Sequence, residues 1–356
     1  MTIEKLTENA ISLLKNLIET QSFSQEEENT AKLIEGWFLE NEIPFKRTKN
    51  NIWATNKYFD ESKPTMLLNS HHDTVKPNSA YTKNPFKAIV ENGKLYGLGS
   101  NDAGGCLVSL IATFTHFYQQ ENLKYNLVIV ASAEEENSGE NGLNSMLPII
   151  PDIDVAIVGE PTLMNLAVAE KGLVVFDAVV AGTPSHAAHP NTNNSIYNTI
   201  EVLQWFKDFK FDKTSNALGD VKMTVTQISA GSQHNVVPAH VDLVVDVRVN
   251  DVYSNQEIAD ILQEKSPCIK ITPRSLRLNS SSISKDHELV KAGITMGRET
   301  YGSPTLSDQS VLSCQSLKLG PGDSTRSHSA DEFIYLAEIE EGINIYIELL
   351  NRVIIK

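Results

Sequence analysis

Met66-Leu67-Leu68-Asn69-Ser70-His71-His72-Asp73 passes from apolar side chains to imidazoles and a carboxylate within one short run. A continuous apolar run of this length has the pattern of a strand buried on both faces. The pattern recurs along the chain. Leu127-Val128-Ile129-Val130 is followed by Glu134-Glu135-Glu136, and Val155-Ala156-Ile157-Val158 by Gly159-Glu160-Pro161-Thr162. Between the first two runs, Ala103 to Tyr118 is apolar and long enough for a helix. Strand, helix, strand at this spacing predicts an α/β sheet covered by helices.

Outward from these runs the organisation becomes legible. Leu6, Ile11, Leu14 and Ile18 stand at helical spacing within 4–20. Ser24-Gln25-Glu26-Glu27 has the capping-box pattern and predicts the start of a second helix carrying Leu33, Ile34, Trp37 and Phe38. The middle of the chain predicts a strand over Val174 to Ala181, a helix over Ile196 to Phe209, and strands over Val221 to Ser229 and Val241 to Val249. A helix over Gln256 to Glu264 and a strand region over Ile269 to Leu278 follow. The order β-α-β-β-α-β is that of a ferredoxin-like unit. A long closing helix is expected over Glu332 to Ile354. The expected architecture is a helix-covered mixed-sheet domain of residues 1–172 and 281–356, interrupted by an α+β unit over 173–280.

Composition narrows the class. At roughly 150 residues per domain, 356 residues predict two domains, and 41% hydrophobic with 21% charged residues is a globular balance. Thirty basic against 45 acidic residues leave a formal charge of −15, which argues against nucleic acid and anionic membrane as partners. No apolar window approaches the length of a membrane span, and the N-terminal stretch has no apolar core of a secretory signal. Cys106, Cys268 and Cys314 are scattered and odd in number, so a reducing, cytoplasmic setting is expected.

In open α/β sheets, ligands bind outside the carboxyl ends of the strands. His71 and Asp73, Glu134 to Glu136, and Glu160 all follow such ends, and Asp102 lies in the glycine-rich turn Gly97-Leu-Gly-Ser-Asn-Asp-Ala-Gly-Gly105 just before a helix. Each has a plainer meaning alone: Asp102 as a helix cap, the triple Glu as a solvated acidic run, a late His328 as an exposed loop histidine. Together they share no structural purpose, and gathered carboxylates repel one another unless a cation holds them.

The series His71-x-Asp73, Asp102 in its turn, Glu135-Glu136, Gly159-Glu160-Pro161-Thr162 and His328 resembles the M20 family of zinc peptidases and deacylases, over essentially the whole chain. The resemblance implies two divalent metal ions, zinc first, with cobalt able to substitute. His71 and Glu160 would hold one ion, Glu136 and His328 the other, with Asp102 between them. Imidazole and carboxylate donors suit zinc, and three carboxylates offset most of the charge of two dications. Asp73 resembles the acid that orients the His71 imidazole. Glu135 resembles the general base, which takes a proton from the attacking water and passes it to the leaving amine. A shift of one residue within the triple Glu would instead place base and ligand at 134 and 135.

Further positions follow from the same resemblance. His186, in Gly182-Thr-Pro-Ser-His186-Ala-Ala-His189, resembles a histidine that completes the site of a partner copy and donates to the oxyanion. Asn235 and Arg248 resemble substrate contacts, Arg248 for a carboxylate. Gly322, in the Gly320-Pro321-Gly322 turn, could add backbone donors, and Asp308 is expected near the substrate. Within the family the chain looks most like the acetylornithine deacetylases and succinyl-diaminopimelate desuccinylases. Hydrolysis of an N-acyl amino acid is therefore expected. Acetylornithine, a step of arginine biosynthesis, comes first; succinyl-diaminopimelate, acyl-citrulline and dipeptides are alternatives. A homodimer through the inserted unit is expected. Two rivals stand beside this: a metal-stabilised binding protein without turnover, which needs no Glu135, and an aminopeptidase of the same architecture.

Overall fold

The computed structural model describes residues 2–355. The chain divides into two compact units, one of Met1–Val168, Ser282–Tyr301 and Ser307–Lys356, the other of Ala169–Ser281 with Gly302–Leu306.

The first unit is built on a mixed sheet. Its strands run in the order Lys46–Thr48, Asn51–Thr55, Asn126–Ser132, Thr65–His71, Val155–Val158 and Gln315–Lys318, continuing to Leu166–Glu170. The four from Asn126–Ser132 to Gln315–Lys318 are parallel. Alternation explains their unbroken hydrophobicity. Met66, Leu68, Leu127 and Ile129 pack into the core under the helices Ile3–Ile18, Gly105–Phe117 and Leu336–Ile354. Leu67, Val128, Val130 and Ala156 face the other way, onto Trp53, Leu143, Met146 and Ile150. Both faces are covered, so neither can be polar.

Register positions the chemistry. His71 lies opposite Ser132, and Asn69 opposite both Val130 and Val158. The three parallel strands therefore end level, and the segments 71–73, 133–136 and 159–160 leave the sheet at one edge.

The second unit holds a four-stranded antiparallel sheet in the order Lys222–Ala230, His240–Val249, Gly172–Ala181, Lys270–Pro273. Helices Ser195–Asp208 and Asn255–Lys265 pack on it, which is the ferredoxin-like arrangement. Its interior is made of Val241, Leu243, Val245, Val247 and Val249 with the matching positions of Gly172–Ala181.

Three sequence expectations change. The second helix is Glu28–Glu40 with Glu27 at its N-cap and no side-chain cap bond, because the Ser24 hydroxyl donates instead to Asp73 Oδ2 at 2.7 Å. The closing helix starts at Leu336, since Phe333–Tyr335 forms a strand against Lys94–Tyr96, with Lys94 Nζ 3.9 Å from the Phe333 ring centre. The strand expected over Ile269 to Leu278 shortens to Lys270–Pro273, where proline brings no N–H to the ladder. Among the described residues no helix is long and apolar enough to cross a membrane. Cys106, Cys268 and Cys314 are all free thiols.

Candidate metal centre

Asp102 occupies the middle of the site. Its turn, Ser100–Gly104, is irregular and feeds the helix Gly105–Phe117. Gly99 enters it at φ +75°, and a Cβ there would stand 2.6 Å from Thr74 Cγ2, so the residue has to be glycine. Asp102 Oδ1 lies 3.4 Å from His71 Nε2, and its Oδ2 lies 3.7 Å from His328 Nε2. One carboxylate thus offers an oxygen to each of two histidines that stand far apart in the chain.

Around His71 Nε2 lie Glu160 Oε1 at 3.7 Å and Glu135 Oε2 at 3.9 Å. His328 Nε2 lies 3.0 Å from Glu136 Oε2. Two donor groups, His71 with Asp102 and Glu136, and His71 with Glu135 and Glu160, each have their ligand atoms within 4.8 Å of one another. All five residues expected as metal ligands, and Glu135 with them, therefore meet.

The His71 ring supplies a direct test of whether a cation fits. Its Nδ1 is 3.0 Å from the backbone carbonyl of Asp73, which fixes Nδ1 as the N–H donor. Nε2 is then the ring atom turned to the carboxylates. It is buried and makes no hydrogen bond of good geometry, and it stands 3.4–3.9 Å from the Asp102, Glu135 and Glu160 carboxylates, so without a cation the ring must take up a proton to balance them. A divalent cation in place of that proton balances the same carboxylates, and the donors present, two imidazoles and several carboxylates, fit zinc. Cys106 stays outside the set: its thiol donates to Pro321 O at 3.2 Å.

Electrostatics carry the same message. Burial alone lowers the His71 pKa, yet Asp102, Asp73 and the charges of Glu135 and Glu160 outweigh it and hold the ring well above its ordinary value. Burial pushes the Glu135 carboxyl well up; His71 opposes that, while Glu160, Asp308 and Glu136 add to it. Glu136 is raised by burial too, against its bond to His328. The hydrogen bond that the protonated ring donates to Glu136 is the main reason His328 is raised to about 9. These are the shifts of acids crowded together without enough positive charge.

Asp73 does more than orient an imidazole. Oδ1 accepts the Glu135 N–H and Oδ2 the Glu136 N–H, both at 3.1 Å, and Oδ2 also takes the Ser24 hydroxyl. The His71 ring itself is closer to the Asp73 carbonyl than to its carboxylate, which stands 3.4 Å away. Burial pushes the Asp73 carboxyl up, but His71, Ser24 and the Glu136 N–H hold it below the usual range.

The register of the triple Glu is visible in the same region. Glu134 turns away at φ +55°, and its carboxylate accepts the backbone and side-chain N–H groups of Asn141. Glu135 and Glu136 face the cluster. His72 points away as well, its Nδ1 beside Thr30 Oγ1 and its Nε2 on Asn50 O, each at 2.9 Å.

The remaining expected residues have other surroundings. Asp308 is buried and accepts the Ser132 hydroxyl at 2.5 Å; burial raises it to about 6. Gly322 is buried at φ +89°, where a Cβ would stand 2.5 Å from Asn101 Oδ1, and its carbonyl accepts the Leu163 N–H. In the second unit, His186 pairs in register with Val236, and the Ala187 N–H donates to Asn235 O, so the His186 and Asn235 segments adjoin. Arg248 lies on the outward face of its strand. Its guanidinium forks onto Asp246, Nε to Oδ1 at 2.9 Å and Nη2 to Oδ2 at 3.1 Å.

One residue was missed in the sequence. Glu332 is buried at 2% exposure, and its carboxylate accepts three backbone N–H groups of the Asp102 turn. Burial, helped by nearby Asp102, pushes it up to about 8. Its signal was its place four residues after His328, which a reading centred on ligands passes over.

A helix-covered mixed sheet carrying a histidine and carboxylate cluster at its carboxyl edge defines a metal-dependent hydrolase. The pattern of peptidase family M20/M25/M40 matches residues 67–352, and the chain belongs to that family. Among curated relatives, the succinyl-diaminopimelate desuccinylase of Rickettsia bellii (strain OSU 85-389) is 26% identical over 374 aligned residues, covering 95% of each chain. The fold is similar to that of aminopeptidase PepT from Bacillus cereus ATCC 10987, with a TM-score of 0.76 at 15% identity over 98% of both chains. It is also similar to Bacillus subtilis YXEP, described as a dinuclear metal binding peptidase of the M20 family, with a TM-score of 0.75 at 15% identity over 98% of both chains.

Proposed function

We propose that the chain is a two-metal amidohydrolase that removes the acyl group from an N-acyl amino acid, with N-succinyl-diaminopimelate as the leading substrate and N-acetylornithine as the alternative. The observation that carries the reading is His71 Nε2, buried without a hydrogen-bond partner and facing the Asp102 carboxylate that also reaches His328. The family resemblance put acetylornithine first; the desuccinylase relatives, aligned along nearly the whole chain, favour the succinyl substrate.

His71 and Glu160 would hold one cation, Glu136 and His328 the other, with Asp102 shared. Such a pair, zinc or cobalt, supplies polarisation of the acyl carbonyl and acidification of water. The rest falls to the protein. Glu135, its carboxyl held high by burial, accepts the proton of the attacking water and returns it to the amine nitrogen as the amide bond breaks. Asp73 keeps Glu135 and Glu136 in place through their backbone N–H groups. His186 of a partner copy donates to the developing oxyanion. Arg248, with Asn235, takes the substrate carboxylate, for which the guanidinium must share or leave Asp246. Gly322 backbone donors and Asp308 complete the contacts; for Asp308, the Asp308→Ala variant should raise KM.

A homodimer through the second unit belongs to the same proposal. Lys222–Ala230 is an edge strand, largely exposed, and the helix Ser195–Asp208 packed on that sheet exposes Ile196, Tyr197 and Ile200. Ile200→Glu should yield monomers by sedimentation; an unchanged dimer would exclude this face. The substrate reading is tested by hydrolysis of N-succinyl- and N-acetyl-ornithine, -citrulline and -diaminopimelate with added zinc or cobalt. Turnover confined to free-amine dipeptides would replace it with the aminopeptidase reading.

A further inference from the structure

Glu332 bonds to the Asp102 turn from both ends of its own residue. Oε1 accepts the N–H of Asn101 at 2.8 Å and of Asp102 at 2.9 Å, Oε2 accepts that of Gly99 at 3.2 Å, and the Glu332 carbonyl accepts the Gly97 N–H at 3.0 Å. Three of the roughly four acceptor positions of a carboxylate are spent on one turn. Glu332 also lies four residues beyond His328 on the same loop. That loop is pinned elsewhere: Asn78 Nδ2 donates to His328 O at 3.2 Å, and Asp331 accepts the Thr82 and Lys83 N–H groups at 2.8 Å.

Asp102 and His328 are therefore joined by a short rigid path through one buried side chain. Without it, the Asp102 turn has three N–H groups and no acceptor, and the His328 loop has no hold on that turn through this carboxylate. We infer that Glu332 is a positioning residue that sets the Asp102–His328 spacing and so pre-forms the half of the centre made by Asp102, Glu136 and His328. This rests on the two-metal reading above. Glu332 touches no substrate and reaches the reacting atoms only through Asp102.

The test is a calorimetric titration of zinc into the chelator-treated full-length chain, wild type against Glu332→Gln and Glu332→Asp. Glutamine keeps a carbonyl oxygen for Asn101 and Asp102 but turns an NH2 toward the Gly99 N–H. Aspartate keeps the carboxyl group and is one methylene too short. His328→Ala identifies which of the two dissociation constants belongs to the His328 side. Both Glu332 variants should weaken that constant by about 10–100-fold, the range for residues that hold metal ligands, with a smaller change in the other, while the metal-free chain still folds, at a lower melting temperature because a buried N–H of the turn loses its acceptor. Equal constants in wild type and variants would overturn the inference, as would equal weakening of both. A Glu332→Gln chain that fails to fold without metal would also overturn it, by making Glu332 a residue of the fold. A wild-type chain that binds no zinc would overturn the two-metal reading itself, and this inference with it.

Discussion

Asp73→Asn removes one charge and changes one atom, and its cost can be worked from the bonds at that carboxylate. Asp73 accepts two backbone N–H groups, from Glu135 and Glu136, and the Ser24 hydroxyl. An asparagine amide has one acceptor oxygen. With its NH2 at the Oδ2 position, it can donate to Ser24 but faces the Glu136 N–H; at the Oδ1 position it faces the Glu135 N–H. Either way one buried backbone donor loses its acceptor, at about 1–3 kcal/mol, and the surviving bonds lose their charge assistance, about 1 kcal/mol more. The metal-free variant should be destabilised by about 2–4 kcal/mol in urea unfolding. Ser24→Ala, which removes one hydroxyl donor from a partly exposed position, should cost about 1 kcal/mol. Zinc affinity should fall about 10–100-fold in Asp73→Asn, because the backbone carrying Glu136 is no longer fixed. An Asp73→Asn chain within about 0.5 kcal/mol of wild type and equal to it in zinc affinity would refute the reasoning.

Glu135→Gln should lower kcat by about 10²–10⁴ with metal content and KM little changed, measured by steady-state kinetics beside metal analysis; unchanged turnover would leave a binding protein rather than an enzyme. Chelation should abolish hydrolysis, and zinc or cobalt should restore it; activity indifferent to chelators would exclude metal-dependent chemistry. Burial raises the Cys314 thiol from an ordinary 9 to about 11. Raising a thiol pKa removes thiolate at any pH below it, so at pH 8 the reactive fraction falls about 100-fold. Iodoacetamide labelling of the native chain at Cys314 should be slower by that factor than after unfolding, and equal rates would show the thiol to be exposed.

Much of this site is legible because one physical rule governs it. Strands such as Thr65–His71, Asn126–Ser132 and Val155–Val158 must be apolar along their length when both faces are covered, so the first acids after them mark the carboxyl edge. Parallel register then brings those acids together without further information. What escaped depends on choices a local pattern does not contain. Ser24 has the sequence of a helix cap, but the buried Asp73 carboxylate is the stronger acceptor for its hydroxyl. Glu332 looked like the first residue of a helix; its carboxylate is drawn to a turn some 230 residues away, and the aromatic Phe333 and Tyr335 favour strand pairing over helix. The apolar odd positions of His240–Val249 leave Arg248 on the opposite face of its strand, but that alternation does not contain its fork to Asp246 two residues earlier.

The most direct test is the position of metal in crystals of the full chain soaked with zinc, read from anomalous scattering at the zinc edge. Two peaks per chain are expected about 3.5–4 Å apart, one bound by His71 and Glu160, the other by Glu136 and His328, with an oxygen of Asp102 on each. A single peak elsewhere, or none within reach of His71 Nε2, would contradict the account.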